Sequence, residues 1–376
     1  MEKKKILIVF GTRPEAIKMA PVIKEFQKYP NQFETRVCVT AQHREMLDQV
    51  LNFFEIKPDY DLNLMRKNQT LSNLTASIIE SFAKVLEEYK ADFVYVHGDT
   101  TTTFATSLCA FYTNAKVCHV EAGLRTFNKN APFPEELNRQ LTGRLADYHF
   151  APTIGAKENL LKEGISEDAI IVTGNSVIDS LLFTIEKTKS SKEPEIERLK
   201  QLVDKNKKLI LVTGHRRENF GEGFQHICMA LKDIAIRSDV EIVYPVHLNP
   251  KVRDSVFELL EMEENIHLIN PLSYEAFVWL MNESYLIITD SGGIQEEAPS
   301  LGKPVLLIRE TTERPEALDT GVVTLVGTDR SKIVKECLFL LEDEAHYNKI
   351  SLAKNPFGMG DAASKIIGFQ KGLIEL

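Results

Sequence analysis

Short apolar runs alternate with longer amphipathic segments along the whole chain, and this alternation restricts the fold more than any other feature. In the first half the runs have the length of strands and are apolar on both faces. We predict strands at Ile6–Phe10, Arg36–Thr40, Phe93–His97, Lys116–Val120 and Tyr148–Ala151. Helices are predicted between them at Pro14–Tyr29, Glu45–Phe54, Leu71–Tyr89 and Glu135–Leu145. Such strands, joined by helices, indicate a parallel sheet covered on both faces.

The second half repeats this pattern. Its predicted strands are Leu209–Thr213, Glu241–Val246, Ile266–Ile269, Tyr285–Thr289, Val305–Ile308 and Val322–Val326. A helix is predicted at Ser176–Lys187, and we expect the charged stretch Lys187–Lys208 to be solvated. A chain of 376 residues can form two domains with separate cores. We therefore predict two doubly wound α/β domains with parallel sheets, residues 1–173 and 174–360, and a C-terminal helix at 361–376 that joins the first domain.

Composition excludes several classes of protein. The formal net charge is −9, whereas a general nucleic-acid binder usually carries a basic face. No apolar run approaches the roughly 20 residues of a membrane-spanning helix, and Ile6–Phe10 is too short for a signal peptide. The five cysteines are widely spaced without a CxxC motif, which favours buried, reduced thiols. We expect a cytoplasmic protein that binds neither nucleic acid nor membranes.

Familiar cofactor motifs are missing from the sequence. It contains no GxGxxG, no GxxxxGK[ST] and no GxSxG, so dinucleotide binding, P-loop chemistry and serine hydrolysis lose their usual support. Its histidines lack metal-ligand spacing such as HExxH. We therefore expect no catalytic metal.

Polar clusters follow the predicted strands, where α/β proteins place their ligand sites. In the loop Gly11–Glu15, Arg13 and Lys18 can point at an anion, although an ordinary turn would look similar. In the loop that begins at Asp290, two glycines let backbone N–H groups approach a phosphate. Ser291 adds a hydroxyl there, and Glu297 can accept hydrogen bonds from a ribose; the alternative is a Gly-rich turn capped by serine. We expect the clusters of both domains to face a shared cleft.

Carboxylates and one histidine are the candidates for acid–base chemistry. Asp99, Glu121 and Glu135 follow predicted strands or begin a helix, and clustered carboxylates can act as acid and base. Glu135 and its neighbour Glu136 could instead only complement a helix dipole after Pro134. His215, flanked by two arginines, is a further acid–base or phosphate-binding candidate.

The clusters together resemble those of a known family. The segments follow in the order found in the non-hydrolysing UDP-N-acetylglucosamine (UDP-GlcNAc) 2-epimerases, from Lys5 to about Asp361: GTRPEAIKMAP, TAQHREMLDQV, HGDTTTT, HVEAGLRT, PEELNRQLTG, TGHRREN, YPVHLNP and TDSGGIQEEAPSLGKPV. The resemblance implies two Rossmann-like domains of the glycosyltransferase B type and a homodimer. It also implies interconversion of UDP-GlcNAc and UDP-N-acetylmannosamine (UDP-ManNAc), through elimination of UDP and re-addition to 2-acetamidoglucal. No redox cofactor or metal is implied, and the product would supply cell-surface polysaccharide.

The resemblance also implies roles for single residues. Acid–base groups would be Asp99, Glu121 and Glu135, with His215 near the leaving diphosphate. The diphosphate would contact Arg13, His215, Ser291 and Gly292, the ribose Glu297, and the uracil ring Phe277.

A second UDP-GlcNAc is implied as an activator beside the substrate, at residues matched by Gln42, His43, Arg216 and His247. Glu45 and Asn68 depart from residues that some family members have there, Gln and Arg respectively. The match to the activator site is therefore partial.

Three other functions remain open on the sequence. A hydrolysing epimerase would release free N-acetylmannosamine and UDP, although the TAQHRE segment favours the non-hydrolysing branch. A glycosyltransferase would share the fold, which does not decide function by itself. A non-catalytic UDP-sugar sensor would not need three carboxylates.

Overall fold

The apolar runs of the sequence form the strands of two parallel sheets, one in each unit of the computed structural model. Unit 1 contains residues 1–180 and 357–376, and unit 2 contains residues 181–356. The structure describes residues 3–41, 44–64, 66, 69–214, 216 and 221–375. In that part of the chain no helix is both long and apolar enough to span a membrane.

Unit 1 is a seven-stranded sheet with helices between its strands. The strands are β1 (Lys4–Phe10), β2 (Phe33–Val39), β3 (Tyr60–Asp61), β4 (Phe93–His97), β5 (Lys116–Val120), β6 (Tyr148–Ala151) and β7 (Ile170–Val172). The helices are α1 (Arg13–Gln27), α2 (Arg44–Phe53), α3 (Leu71–Tyr89), α4 (Thr101–Tyr112), α5 (Glu135–Leu145) and α6 (Ile154–Lys162). The strand order β3-β2-β1-β4-β5-β6-β7 reverses direction between β1 and β4, which are paired in parallel.

Unit 2 repeats this architecture with six strands. After α7 (Ser176–Thr188), its strands are β8 (Lys208–Thr213), β9 (Val240–Pro245), β10 (Ile266–Ile269), β11 (Leu286–Thr289), β12 (Val305–Leu307) and β13 (Val323–Leu325). Its helices are α8 (Pro194–Leu202), α9 (Glu222–Ala235), α10 (Pro250–Leu260), α11 (Tyr274–Glu283), α12 (Gly292–Glu297), α13 (Pro315–Asp319), α14 (Arg330–Glu342) and α15 (Glu344–Ser351). The order β10-β9-β8-β11-β12-β13 reverses between β8 and β11. A last helix, α16 (Ala362–Glu375), belongs to unit 1.

The prediction of two parallel sheets is confirmed, and its physical basis is visible in the central strands. Every residue from Ile6 to Phe10 in β1 is at most 1% exposed, because helices cover both faces of the sheet. Strands β4, β5, β6 and β10 have the predicted bounds. Two short strands, β3 and β7, were not predicted; the two residues of β3 are too few to show a period.

Most of Lys187–Lys208 is exposed or partly exposed, as expected, but the stretch also has an unpredicted helix with a buried face. This stretch contains α8, in which Ile196 and Leu199 are almost completely buried. The two residues are three positions apart and share one face of the helix, while the charged residues between them dominate the local composition.

The two units divide inside α7, after Ser180, whereas the sequence suggested a boundary near Gly174-Asn175. The hydroxyl of Ser180 donates to the backbone carbonyl of Ile17 in α1. Asp179 accepts hydrogen bonds from the backbone N–H groups of Ala362 and Ala363, at 3.2 and 3.0 Å, where α16 begins. The first turns of α7 therefore pack with unit 1.

Candidate active site

The strand order of unit 1 brings two polar loops together. Strands β1 and β4 are neighbours, so the loops that follow them start side by side and then lead away to different helices. In open α/β sheets this reversal of strand order creates a crevice at the carboxyl ends of the strands, where ligands bind. The first loop leads into Arg13, the first residue of α1, and the second contains Asp99.

Glu15 connects the two loops. Its Oε2 accepts hydrogen bonds from the N–H groups of Gly11 and Thr12, at 3.1 and 2.8 Å, and from the Thr12 hydroxyl at 2.8 Å. Its Oε1 accepts from the hydroxyls of Thr100 and Thr103, at 2.7 and 3.3 Å. Burial raises the pKa of Glu15, although these donors oppose the rise. All of these partners are donors, an arrangement that suits a carboxylate and explains how a buried acid is tolerated.

Asp99 is the first of the predicted acid–base groups. Its Oδ2 lies 2.6 Å from Nη2 of Arg139, and its backbone carbonyl accepts from the side chain of Asn138 at 3.0 Å. Desolvation raises the pKa of Asp99, and the carboxylates of Glu121 and Glu135 act in the same direction, while Arg139 opposes them. Asp99 is thus an acid whose proton is held more tightly than in water.

Glu121 is the second acid–base candidate, and it directly follows β5 with a left-handed φ of +60°. Its Oε2 pairs with Nζ of Lys18 and accepts a hydrogen bond of 2.7 Å from the side-chain amide of Asn175. Nε2 of His97 lies 3.7 Å from the same oxygen. Burial lowers the pKa of His97 to about 4, so this ring is neutral at pH 7. Oε2 of Glu121 therefore faces both a cation and an amide donor.

The two adjacent glutamates at the start of α5 have different environments. Glu136 is completely buried and accepts hydrogen bonds from the backbone N–H groups of Thr126 and Phe127, at 3.0 and 3.1 Å. It also accepts from the side chain of Gln140 at 2.7 Å. Glu135 is partly exposed, and its charge contributes to the raised pKa of Asp99. The structural interpretation therefore fits Glu136, and Glu135 remains the candidate for chemistry.

Unit 2 has an equivalent reversal between β8 and β11, and Asp290 organises the loops that follow these strands. Asp290 is completely buried, and its Oδ2 accepts from the backbone N–H of Arg216 at 2.8 Å. Nε of Arg216 donates to the Asp290 carbonyl at 3.2 Å. The hydroxyl of Tyr244 donates to the Gly214 carbonyl at 3.1 Å, so β9 also supports this loop.

The predicted phosphate loop turns directly after β11. Ser291 precedes α12, and its N–H donates to the Thr289 hydroxyl at 2.9 Å. Gly292 lies against the guanidinium of Arg314: a Cβ at this position would be 2.7 Å from Nη1. Arg314 is held in turn by the buried carboxylate of Glu296. A side chain at this position would therefore have to shift the guanidinium of Arg314.

The other predicted ligand-binding residues lie on elements near these loops. Glu297 ends α12 and is partly buried, and Phe277 is a partly buried residue of α11. His247 is exposed after β9, where its Nδ1 accepts from the N–H of Asn249 at 3.0 Å. Lys18 contacts Glu121, so in this structure it lies with the predicted acid–base groups.

Several predicted site residues cannot be placed. Gln42, His43 and His215 lie outside the residues that the structure describes, as does Asn68, and the side chain of Glu45 is likewise not described. Among the described residues, no group of three His, Cys, Asp or Glu side chains could hold a metal ion. All five cysteines are buried free thiols.

Four partners of the site were not predicted from the sequence. They are Arg139 beside Asp99, Asn175 beside Glu121, Asp290 beneath Arg216, and Arg314 against Gly292. Arg139 lies within the PEELNRQLTG segment, four residues after Glu135, which is helical spacing and could have indicated it. No local sequence pattern indicates Asn175, Asp290 or Arg314 as partners, because each contacts a residue from a different loop.

Comparisons with known proteins identify the family of the chain. A family model described as UDP-N-acetylglucosamine 2-epimerase matches residues 24–371. The UDP-N-acetylglucosamine 2-epimerase of Campylobacter jejuni is 58% identical over 97% of this chain and 96% of that protein.

Solved structures give the same result. The crystal structure of UDP-GlcNAc 2-epimerase from Neisseria meningitidis bound to UDP-GlcNAc is similar with a TM-score of 0.90 and 52% identity, and covers 98% of this chain and 100% of that chain. The enzyme from Methanocaldococcus jannaschii, in complex with UDP-GlcNAc and UDP, has a TM-score of 0.80 and 34% identity, and covers 98% of this chain and 99% of that chain. The chain therefore belongs to the UDP-N-acetylglucosamine 2-epimerase family and has its fold of two Rossmann-like domains, the glycosyltransferase B type.

Proposed function

We propose that this chain interconverts UDP-GlcNAc and UDP-ManNAc by a non-hydrolysing reaction at carbon 2 of the sugar. The observation that carries the proposal is the pair of carboxylates, Asp99 and Glu121, in one crevice of unit 1 with different partners. Family membership supplies the substrate class, because relatives are named for this activity and two solved structures contain UDP-GlcNAc.

The reaction has two half-steps. In the first, a base removes the proton from carbon 2, the C–H electrons form the C1–C2 double bond, and the C1–O bond breaks so that UDP leaves with its electron pair. In the second, UDP oxygen attacks carbon 1 of 2-acetamidoglucal, and an acid delivers a proton to carbon 2 on the opposite face. Carbon is neither oxidised nor reduced overall, so the proposed reaction needs no redox cofactor.

The environments of the carboxylates suit this chemistry. The pKa of Asp99 is raised by desolvation, so this group holds a proton more readily than a solvated aspartate. Glu121 faces the ammonium of Lys18 and the side-chain amide of Asn175. Two carboxylates with different partners can share the tasks of acid and base. Glu135 is the third member of the proposed set.

Unit 2 is proposed to bind the nucleotide. The backbone and hydroxyl of Ser291 would bind the diphosphate, together with the backbone of Gly292. Arg13 and His215 would add positive charge or hydrogen-bond donors to this diphosphate site. Glu297 would accept hydrogen bonds from the ribose hydroxyls, and Phe277 would lie beside the uracil ring. Departing UDP gains negative charge at the bond that breaks, and fixed donors at that point stabilise the transition state.

The test is incubation with UDP-GlcNAc in deuterated water, followed by NMR of the sugar. We expect a mixture of UDP-GlcNAc and UDP-ManNAc, with deuterium at carbon 2 of both. The Glu121→Gln variant is the control for contaminating activity. Free N-acetylmannosamine as the main product would instead identify a hydrolysing enzyme, and products without deuterium would exclude proton exchange at carbon 2.

A further inference from the structure

Asn175 lies between β7 and α7 and is held on both sides by backbone contacts. It is only 3% exposed, and its N–H donates to the Phe357 carbonyl at 2.7 Å. The preceding residue, Gly174, has φ +86°, and a Cβ there would lie 3.0 Å from the same carbonyl oxygen. The close approach of these two segments leaves little freedom to the backbone of Asn175.

The amide group of Asn175 has a defined orientation. Its Oδ1 accepts from the backbone N–H of Val177 at 3.0 Å, as in a helix N-cap. A backbone N–H can only donate, so the side-chain oxygen must face Val177 and the nitrogen must face away from it. Nδ2 therefore donates to Oε2 of Glu121, at 2.7 Å.

Glu121 needs such a partner because its position is conformationally demanding. It has a left-handed φ of +60°, and its side chain passes over Gly98, where a Cβ would be 3.8 Å from Oε1. Charged or titratable groups near it, among the described residues, include Lys18 on α1, His97 on β4, and Asp99 in the following loop. Lys18 supplies charge through a long flexible side chain, whereas Asn175 is rigid and buried.

We propose that Asn175 is a positioning residue that holds Glu121 in its reactive orientation and as a carboxylate. The inference rests on the proposed function, because Glu121 is taken as an acid–base group of that reaction. A bond to a charged acceptor is among the stronger hydrogen bonds of proteins, and a misplaced acid–base group transfers protons poorly. Asn175 itself acts only through Glu121.

Three substitutions separate this role from the helix cap. Asn175→Ser keeps an acceptor for the Val177 N–H but is too short to reach Glu121. Asn175→Asp also keeps the cap, and places a second carboxylate against Glu121 in place of a donor. Asn175→Ala removes both interactions.

We expect kcat of Asn175→Ser to fall by about 10- to 100-fold, with KM changed by less than about threefold. The thermal midpoint of this variant should stay near that of the unsubstituted protein, because the cap is retained. Asn175→Asp should lose more activity and shift the acidic limb of its kcat–pH profile to higher pH, because a neighbouring carboxylate favours the protonated form. If both variants keep normal kcat and only Asn175→Ala suffers, Asn175 is merely a helix cap and the proposal is wrong.

A second measurement does not depend on the reaction. In a double-mutant cycle of thermal unfolding with Asn175→Ser and Glu121→Ala, the effects of the two substitutions should not add, because each removes the hydrogen bond between Asn175 Nδ2 and Glu121 Oε2. Additive effects would contradict the hydrogen bond and overturn the inference, even if the chain is an active epimerase. If the unsubstituted protein exchanges no deuterium into UDP-GlcNAc, the proposed function fails and this role of Asn175 in catalysis fails with it, whatever the cycle shows.

Discussion

The hydroxyl of Thr100 donates a hydrogen bond of 2.7 Å to Oε1 of Glu15, and so joins the loop after β4 to the loop after β1. Glu15 also holds Gly11 and Thr12 through its other oxygen. The two loops that carry Arg13 and Asp99 are therefore fixed by one buried carboxylate.

Glu15→Gln should destabilise the protein. The glutamine oxygen can keep the N–H groups of Gly11 and Thr12, but its nitrogen would then face the hydroxyls of Thr100 and Thr103, which must accept instead of donate. Hydrogen bonds to a charged acceptor become weaker neutral ones, a loss of about 1 kcal/mol. The free energy of unfolding in urea measures this loss. Glu158→Gln, at an exposed position of α6, is the matched control and should change stability by less than about 0.5 kcal/mol. Equal stabilities of the two variants would show that the carboxylate does not hold these loops.

The neighbouring residues Glu135 and Glu136 should respond differently to the same substitution. Glu135→Gln should lower kcat by about 10²–10⁴-fold without loss of stability, as expected of an acid–base group. Glu136→Gln should instead lower the thermal midpoint, because Glu136 binds two backbone N–H groups of the preceding loop. Asp99→Asn and Glu121→Gln should resemble Glu135→Gln. Near-normal turnover in all three of these variants would refute the catalytic assignment.

Gly292→Ala should weaken UDP binding, whereas Gly368→Ala in α16 should have a small effect. A Cβ at Gly292 would lie 2.7 Å from the Arg314 guanidinium, which is held by Glu296, while nothing lies within 4 Å of a Cβ at Gly368. Calorimetric titration with UDP measures both affinities. Ser291→Ala and Glu297→Ala should also lose roughly tenfold or more in affinity, if each removes a hydrogen bond to the nucleotide. If Gly292→Ala, Ser291→Ala and Glu297→Ala all bind UDP with unchanged affinity, UDP binds elsewhere.

Three buried histidines should make the protein sensitive to acid. Burial lowers the pKa of His97, His119 and His149 to about 4, 3 and 4, from an ordinary value of 6.5. The unfolded chain therefore binds more protons than the folded chain between pH 6.5 and about 4, and stability falls as the pH falls through this range. Each histidine contributes a slope of up to about 1.4 kcal/mol per pH unit.

Asp179 acts in the opposite direction, since burial raises its pKa to about 6 and folding then favours the protonated form. The test is therefore a comparison of slopes. The free energy of unfolding in urea is measured at several pH values between 5 and 7. As the pH falls, this free energy should decrease less steeply for His149→Gln than for the unsubstituted protein. It should decrease more steeply for Asp179→Asn. Identical slopes in the three proteins would contradict this account.

Activation by UDP-GlcNAc is the last prediction. If Arg216 and His247 belong to an activator site, the reverse reaction from UDP-ManNAc alone should show a lag that a little UDP-GlcNAc removes. Coupling between two ligands is typically about 5- to 150-fold. His247→Ala should reduce this response while it leaves UDP affinity unchanged. Absence of a lag, with hyperbolic forward kinetics, would show that this chain does not use such a site.

The elements of the fold could largely be read from local patterns. Helix α3 has its predicted bounds, and so do several central strands, because the period of apolar residues directly reflects which faces are buried. Helix α8 was missed although Ile196, Leu199 and Leu202 have helical spacing after Pro194. The charged residues between them dominate the local composition and suggested a solvated stretch.

The sequence by itself determined that polar loops would follow the strands, and it singled out Asp99, Glu121 and the loop at Ser291 as the predicted places of the chemistry. Only the tertiary structure decided which side chains surround them. Asn175 and Lys18 are 54 and 103 positions from Glu121 along the chain, and both contact its Oε2. Local patterns act over a few residues, whereas these contacts depend on the order of strands in the sheet and on the packing of α1 and α7 beside it.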